Sequence, residues 1–532
     1  MRKGLSKSRY TAFCQCLKNL WLKVYKPEEA AVDEALQARF AQGNLVGDLA
    51  MQLFGDYKEA HAVKSDGSLD LSKMVEQTCQ WMDEGVQNIC EASFICEGGY
   101  CAVDILRKDG DGWAIYEVKS TSFPEFNGQG AKLEKYAPDI AYQKWVLTQC
   151  GVNVTGTYLV CLNSDYVRQG KLDIQQLFVI NDMKEMVENE YLKVPARVSQ
   201  AMKVINNEQE PEADLSECCM KPYGCAFWEY CKRQHGVPSP SVFDVYGGKG
   251  RGGFTFKKKL DCYRQGLVTF EDLRQTDIGP IQNMQIEAAL TGKEFINPEG
   301  IRKFLDRLSY PLYFLDFETM QDAVPQYDGA KVYAQITFQY SLHVKERESV
   351  STFVDTGKLK YTKIANYITH REFLALSDGN DPRRPLAEQL CKDIPMDACT
   401  LAYNKMFECG RIRELATLYP DLSSHLLNIA DHIVDLIDPF RAGDYYVPAM
   451  GGSFSIKSVL PALFPDDPEL NYHNLDERCQ NGGDAMTIFP RIKDMEPAEA
   501  AASREALLRY CELDTWAMVK VWEKLKEKAG II

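Results

Sequence analysis

The run PLYFLDFETM, residues 311–320, places two carboxylates among large apolar side chains. Leu312 to Phe317 reads as a buried strand, and no basic residue adjoins Asp316 or Glu318. Alternate residues of a strand share a face, so the two acids point into one pocket. Burying a carboxylate is expensive unless it is paired or bound to a metal. Whatever fold this chain adopts must therefore supply a partner for both acids.

Later segments offer further polar groups. LAYNKMFECGRIRELA places Asn404, Phe407 and Glu408 at the opening of a helix. SREALLRYCELDTWAMVKVWEKL has a strong helical pattern, with Ser503 read as its N-cap. Tyr510 and Asp514 are four residues apart and lie on one helical face. D-x-E, N-x-x-F-acid and Y-x-x-x-D, in that order, resemble the DEDD exonuclease superfamily, tyrosine subtype. The resemblance implies a ribonuclease H-like fold in which Asp316, Glu318, Glu408 and Asp514 bind two divalent ions, magnesium or manganese. Tyr510 would position the attacking water, and two metals stabilise the attacking and leaving oxygens of a phosphodiester. The second motif ends in glutamate here, where that superfamily usually has aspartate. DLIDPFRAGDYYVPAMGGSFSIKSVLPAL also resembles the superfamily and implies Asp435, Ser455 and Lys457 near the substrate.

A second constellation lies upstream. CAVDILRKDGDGWAIYEVKS reads as a hairpin turned at KDGDG. Asp104 is on its first strand, and Glu117 and Lys119 share a face of the second. Acids plus a lysine on adjacent strands suit a divalent metal and an activated water; on spacing alone a salt-bridged strand edge is the better reading. With Gln143 in the following helical segment, D…ExK…Q resembles the PD-(D/E)xK nuclease core of the RecB type. That implies Asp104 and Glu117 as metal ligands, Lys119 acting on the water and Gln143 organising the site. Two departures stand out. The tyrosine four residues after the glutamine is Leu147 here, and QGNLVGDLAMQLF lacks the early histidine of many relatives.

Eighteen cysteines include CCMKPYGCAFWEYC, with Cys218, Cys219, Cys225 and Cys231, and AFCQCLKNLWL, with Cys14 and Cys16. One early and three late cysteines around a RecB-type core resemble the iron–sulfur nucleases. The resemblance implies a [4Fe–4S] cluster on Cys16, Cys219, Cys225 and Cys231, with Cys14 and Cys218 spare. Zinc on the same thiolates is the alternative.

The length of 532 residues suits two or three domains. Three regions are expected: 1–236, a RecB-like nuclease domain with its cysteine cluster; 237–308, a helical connector opening in PSPS and GGKGRGG; and 309–532, the DEDD-like domain. The fold class is α/β throughout. A net charge of −15 argues against a chain coated in basic surface. Lys249, Arg251, Lys257, Lys258 and Lys259 read either as a solvated linker or as phosphate contacts, with Phe254 and Phe256 as stacking candidates. No apolar run approaches a membrane span, the basic start lacks a signal-peptide core, and a cytoplasmic location is expected. Nearly the full length resembles a prokaryotic family of fused nucleases of unknown function. The implied activity is metal-dependent hydrolysis of nucleic acid, DNA before RNA. The alternatives are a nucleic-acid-binding scaffold with one or both sites inactive, and an RNA-processing 3′–5′ exonuclease.

Overall fold

The computed structural model describes residues 4–31, 36–124, 130–248, 253–276, 278–347, 349–354, 360–365 and 367–531. The chain is mixed α/β and divides into two compact units. The first is Met1–Val237 together with Asp322–Ala334; the second is Pro238–Gln321 together with Gln335–Ile532. The stretch expected as a connector is thus not a unit of its own. It carries a small core in which Phe254 is buried with Val242, Val245, Phe270, Leu273 and Ile286. Burial takes Phe254 out of reach of a base, and Phe256 packs beside Phe243. Lys259 is also turned away from solvent, donating from Nζ to the Phe243 carbonyl at 2.8 Å. Lys249 and Arg251 lie outside the described residues.

The strands of the first unit are β1 (Leu5–Ser6), β2 (Lys58–Glu59), β3 (Asn88–Cys96), β4 (Gly99–Asp109), β5 (Gly112–Phe123), β6 (Val154–Asn163) and β7 (Phe178–Asp182). Among the described residues they form one sheet in the order β2-β3-β4-β5-β6-β7, with β1 beside β4. β3, β4 and β5 make an antiparallel meander. The β4–β5 turn holds Gly110 at φ 56°, a backbone conformation that glycine adopts without steric cost. β6 runs parallel to β5, so the chain must cross over between them. The helix Ala137–Gln149 makes that crossover, burying Ile140, Ala141, Val146 and Leu147 on the sheet.

The second unit holds β8 (Phe295–Ile296), β9 (Leu312–Gln321), β10 (Gln335–Lys345), β11 (Ser349–Val354), β12 (Lys360–Ala365), β13 (Ile368–Leu374), β14 (Cys399–Ala402), β15 (Ile433–Asp435) and β16 (Tyr445–Tyr446). Its main sheet has the order β13-β10-β9-β14-β15. β10 runs antiparallel to both of its neighbours, β9 and β13, while β14 and β15 run parallel to β9. Strand alternation sets what each face sees. Tyr313, Leu315 and Phe317 pack with Leu386, Ile412 and Ile429 on one side. Leu312 and Phe314 face the other, with Leu513, Ala517 and Trp522 of the C-terminal helix Pro497–Lys528. Asp316 and Glu318 continue this second series.

That helix starts earlier than its capping pattern suggests. Glu496 is the N-cap and Pro497 the first helical residue, so Ser503 is an interior position, buried, and caps nothing. Proline suits a first helical position because its missing N–H has no intrahelical partner there, and the alanines that follow propagate the helix.

Candidate functional site

On β9, Asp316 stands opposite Ser341 of β10, and Glu318 opposite Gln339. Gln339 is fully buried and donates from Nε2 to the Leu507 carbonyl at 2.8 Å, which ties the C-terminal helix to the sheet beside Glu318. One turn of that helix brings Tyr510, Cys511 and Asp514 to the same pocket. The Tyr510 hydroxyl and a Glu318 oxygen lie 3.8 and 3.7 Å from one point, the position a β-carbon would take on Gly482. Asp316, Glu318 and Cys511 have potential ligand atoms within 4.8 Å of one another. Asp514 Oδ1 accepts from the Tyr472 hydroxyl at 2.5 Å and also receives a hydrogen bond from Tyr510.

Glu408 arrives from the first turn of the helix Met406–Leu418. The turn before it is held by Asp435. Asp435 accepts from the N–H groups of Asn404 at 2.8 Å, Lys405 at 3.2 Å and Ile437 at 3.3 Å. Asn404 is at φ 69°, and its side-chain oxygen accepts from Arg441 at 3.0 Å. Asp435 therefore positions backbone. Ser455 opens the helix Ile456–Leu463. Lys457, on the same helix, is exposed and bears electrostatically on Glu318 and Asp514.

Four carboxyl groups thus bear on one another across the end of β9 and the two helices. Two like charges 4 Å apart repel by about 4 kcal/mol even at an effective dielectric of 20. Burial, then the neighbouring acids Asp514 and Glu408, push the Asp316 and Glu318 carboxyls well above the ordinary range. Burial lifts Glu408 to about 8 and Asp514 to about 6. One Glu408 oxygen, Oε2, is buried with no hydrogen-bond partner among the described residues. Clustered acids and an orphaned oxygen are what a hard divalent cation relieves, so these residues fit such an ion. The Tyr472 and Tyr510 phenols are shifted far toward the protonated form by burial and by Asp514. They act here as donors.

In the first unit, Asp104, Glu117, Lys119 and Gln143 also meet. Asp104 Oδ2 accepts from the Val118 N–H at 2.6 Å. Gln143 Nε2 donates to Glu117 Oε2 at 2.7 Å, and Lys119 bonds Glu117 Oε1 and, at 2.9 Å, Asp139 Oδ2. Leu147 is fully buried in the core. A residue from the N-terminus completes the group. Lys7 Nζ donates to both oxygens of Glu117 at 3.0 and 3.1 Å and sits 3.6 Å from Asp104 Oδ1. Burial opposes ionisation of Glu117, but Lys119 and Lys7 outweigh it and hold its carboxyl well below the usual range. Burial and Glu117 lift Asp104 to about 6. Four acids, Asp104, Glu117, Asp139 and Glu91, face two ammonium groups here: Lys7 lies against Glu117 and Asp104, while burial, then Asp104, lifts Glu91 to about 7.

Cys16, Cys219, Cys225 and Cys231 line one cavity, with Cys218 as a fifth wall. Cys14 is apart, 3.9 Å from Arg197 Nη1 and packed against the main core. Burial pushes the Cys219 thiol up to about 12 and Cys231 to about 11. These sulfurs would ionise at neutral pH only against a bound metal.

Motif spacing left out Lys7, Asp139, Tyr472 and Cys511. Asp139 had a local signal, being four residues before Gln143 on one helical face. Lys7 is 110 residues from Glu117 and Tyr472 is 42 from Asp514, and no local pattern links either pair.

Residues 313–455 match the model of a family described as a domain of unknown function (DUF2779). The matched segment contains Asp316, Glu318, Glu408, Asp435 and Ser455 and ends before Tyr510. The chain is 26% identical over 216 residues to the uncharacterized protein MG366 homolog of Mycoplasma pneumoniae, covering 39% of this chain and 31% of that protein. It is 25% identical over 310 residues to the uncharacterized protein UU173 of Ureaplasma parvum serovar 3, covering 53% of this chain and 40% of the relative. The chain therefore spans well under half the length of these two curated relatives. No solved structure matches it.

Proposed function

We propose that this chain is a metal-dependent nuclease whose hydrolytic centre is the four-carboxylate pocket of the second unit. The observation that carries the reading is the convergence of Asp316, Glu318, Glu408 and Asp514 from a strand and two separate helices, with Tyr510 beside them. The sheet supports it: three antiparallel strands followed by two parallel ones, with the first strand central, is the order expected of a ribonuclease H-like fold. Asp316, Glu318, Glu408 and Asp514 would hold magnesium or manganese, which supplies positive charge to the oxygens of the phosphodiester. Tyr510 keeps its proton and can only orient a water, and Lys457 is the nearby cation suited to a phosphate. In the first unit, the antiparallel meander with a parallel fourth strand supports the PD-(D/E)xK reading. Cys16, Cys219, Cys225 and Cys231 would hold the [4Fe–4S] cluster, with zinc as the alternative occupant.

The test is cleavage of DNA and RNA oligonucleotides labelled at either end, with magnesium and then manganese. Metal-dependent cleavage lost in Asp316→Asn is expected, with DNA cut in preference to RNA. A preference for RNA would move the reading to an RNA-processing exonuclease. No cleavage, or cleavage untouched by Asp316→Asn, overturns the assignment.

Lys7 favours a second reading for the first unit, as a scaffold that binds nucleic acid without cutting it. Lys119→Ala should then leave hydrolysis unchanged. Lys7→Met should lower the melting temperature and create a manganese response that the wild-type first unit lacks. If Lys119→Ala removes part of the cleavage, the first site is catalytic and the scaffold reading fails. The cluster is tested separately: anaerobically purified protein should absorb near 400 nm, as thiolate-bound iron–sulfur clusters do, and Cys225→Ser should be colourless.

A further inference from the structure

The face of the sheet that carries Asp316 continues toward its edge into a second group of ligand-type side chains. His343 on β10, His370 on β13 and Glu512 on the C-terminal helix each place a potential ligand atom within 4.8 Å of the other two. The two imidazoles lie 4.6 Å apart, their planes inclined by 30°. Each ring is tethered at one nitrogen. His343 Nδ1 meets Thr515 Oγ1 at 2.8 Å, and His370 Nε2 meets Ser341 Oγ at 2.9 Å. The two hydroxyls are themselves 2.7 Å apart. The remaining nitrogens are His343 Nε2 and His370 Nδ1. The latter stands 3.8 Å from Glu512 Oε1, too long for a hydrogen bond. The other Glu512 oxygen is taken by Arg509 Nη1 at 3.1 Å.

We propose that His343, His370 and Glu512 form a zinc site. Two imidazoles and one carboxylate suit zinc, whereas magnesium and calcium prefer oxygen donors alone. The chemistry therefore differs from that of the four-carboxylate pocket. The hydroxyls of Ser341 and Thr515 do what outer partners of metal-bound histidines do: they fix each ring's orientation from its far nitrogen. His343 is buried, so its ring is held in place by its neighbours. His370 Nδ1 and Glu512 Oε1, 3.8 Å apart, stand wider than two ligands on a single zinc with bonds of about 2.0–2.1 Å. Glu512, whose side chain is 35% exposed, can draw in through Oε1 while Oε2 keeps its contact with Arg509. A water would fill the fourth position. The ion would join β10, β13 and the C-terminal helix at the turn between Tyr510 and Asp514, and so hold that helix against the sheet.

The experiment uses the full chain, stripped of metal, titrated with zinc and assayed by elemental analysis. The cysteines and the four carboxylates can take zinc too, so the readout is the difference between proteins. His370→Ala, on the partly exposed edge strand, and Glu512→Gln should each bind one equivalent less than wild type, with an unchanged circular dichroism spectrum. Thr515→Val, which deletes only the hydroxyl behind His343, should weaken that same equivalent by roughly 10- to 100-fold. Wild-type zinc stoichiometry and affinity in both His370→Ala and Glu512→Gln overturns the site and leaves a hydrogen-bonded imidazole pair beside a loose ion pair.

Discussion

Asp514 receives two phenol hydrogen bonds, from Tyr472 and from Tyr510, and the two are not equivalent. The Tyr510 hydroxyl is also near Glu318, placing it over the pocket formed by the acids. In the proposed reaction the acids create the site and this hydroxyl orients the water. Tyr510→Phe keeps the ring and its packing. It should leave manganese affinity and folding intact while slowing single-turnover cleavage by roughly 10- to 1000-fold, the scale of one positioned group. Removing Asp514 should abolish metal binding and turnover together. A Tyr510→Phe protein as fast as wild type would move the water-orienting role to Tyr472. The Tyr510–Asp514 pairing is legible from helical spacing. Tyr472 is not, because it lies in a segment of short 3-10 turns that no periodicity relates to the helix.

At the scale of elements, the critical joint is the end of β15, where Asp435 gathers three backbone N–H groups and so fixes the start of the helix that presents Glu408. The resemblance of the surrounding stretch implies Asp435 near the substrate; in the fold its carboxylate holds backbone. Asp435→Ala leaves those donors without an acceptor, each costing about 1–3 kcal/mol if water does not reach it. A loss of roughly 3 kcal/mol in denaturant unfolding is expected, with weaker manganese binding because Glu408 is no longer held. Asp435→Asn, which keeps an acceptor, should recover much of it. Equal stability in wild type and Asp435→Ala would show that the helix start is set elsewhere.

At the scale of the whole molecule, both units bury acids raised above the ordinary range, and the first also holds one, Glu117, below it. Glu408 at about 8 and Asp514 at about 6 are raised above ordinary carboxyls, so the folded second unit binds more protons than its unfolded chain. Stability then falls as pH rises. The loss begins near pH 4, the unfolded value, and is complete above about 8. Glu117 is held low, so its contribution is present above its unfolded pKa and is lost only as pH falls through the acid range. Calorimetry of metal-free protein should show one transition, that of the second unit, dropping between pH 5 and 8, and another, that of Met1–Val237, falling as Glu91 at about 7 and Asp104 at about 6 ionise. Manganese should raise the first, and more at pH 8 than at pH 5. A second-unit transition that ignores pH, or a manganese effect that is the same at both, contradicts a metal-free cluster of raised acids.

The sequence alone determines whatever depends on a short-range period. Two acids two apart on an apolar strand must share a face; a phenol and an acid four apart on a helix must do the same; an acid-x-lysine after a glycine turn must return beside the strand that carries Asp104. Those regularities follow from backbone geometry and hold wherever the segment is placed. Tertiary structure decided which distant groups meet these faces. It set Lys7 against Glu117 and Asp104, brought Cys218 to the same cavity as the four chosen cysteines, and buried Phe254. It also seated His343 and His370 on neighbouring strands under a helix from the far end of the chain. Charge compensation, burial and ligand convergence are properties of through-space distance, and chain separations of up to more than 200 residues carry no local pattern from which such distances can be read.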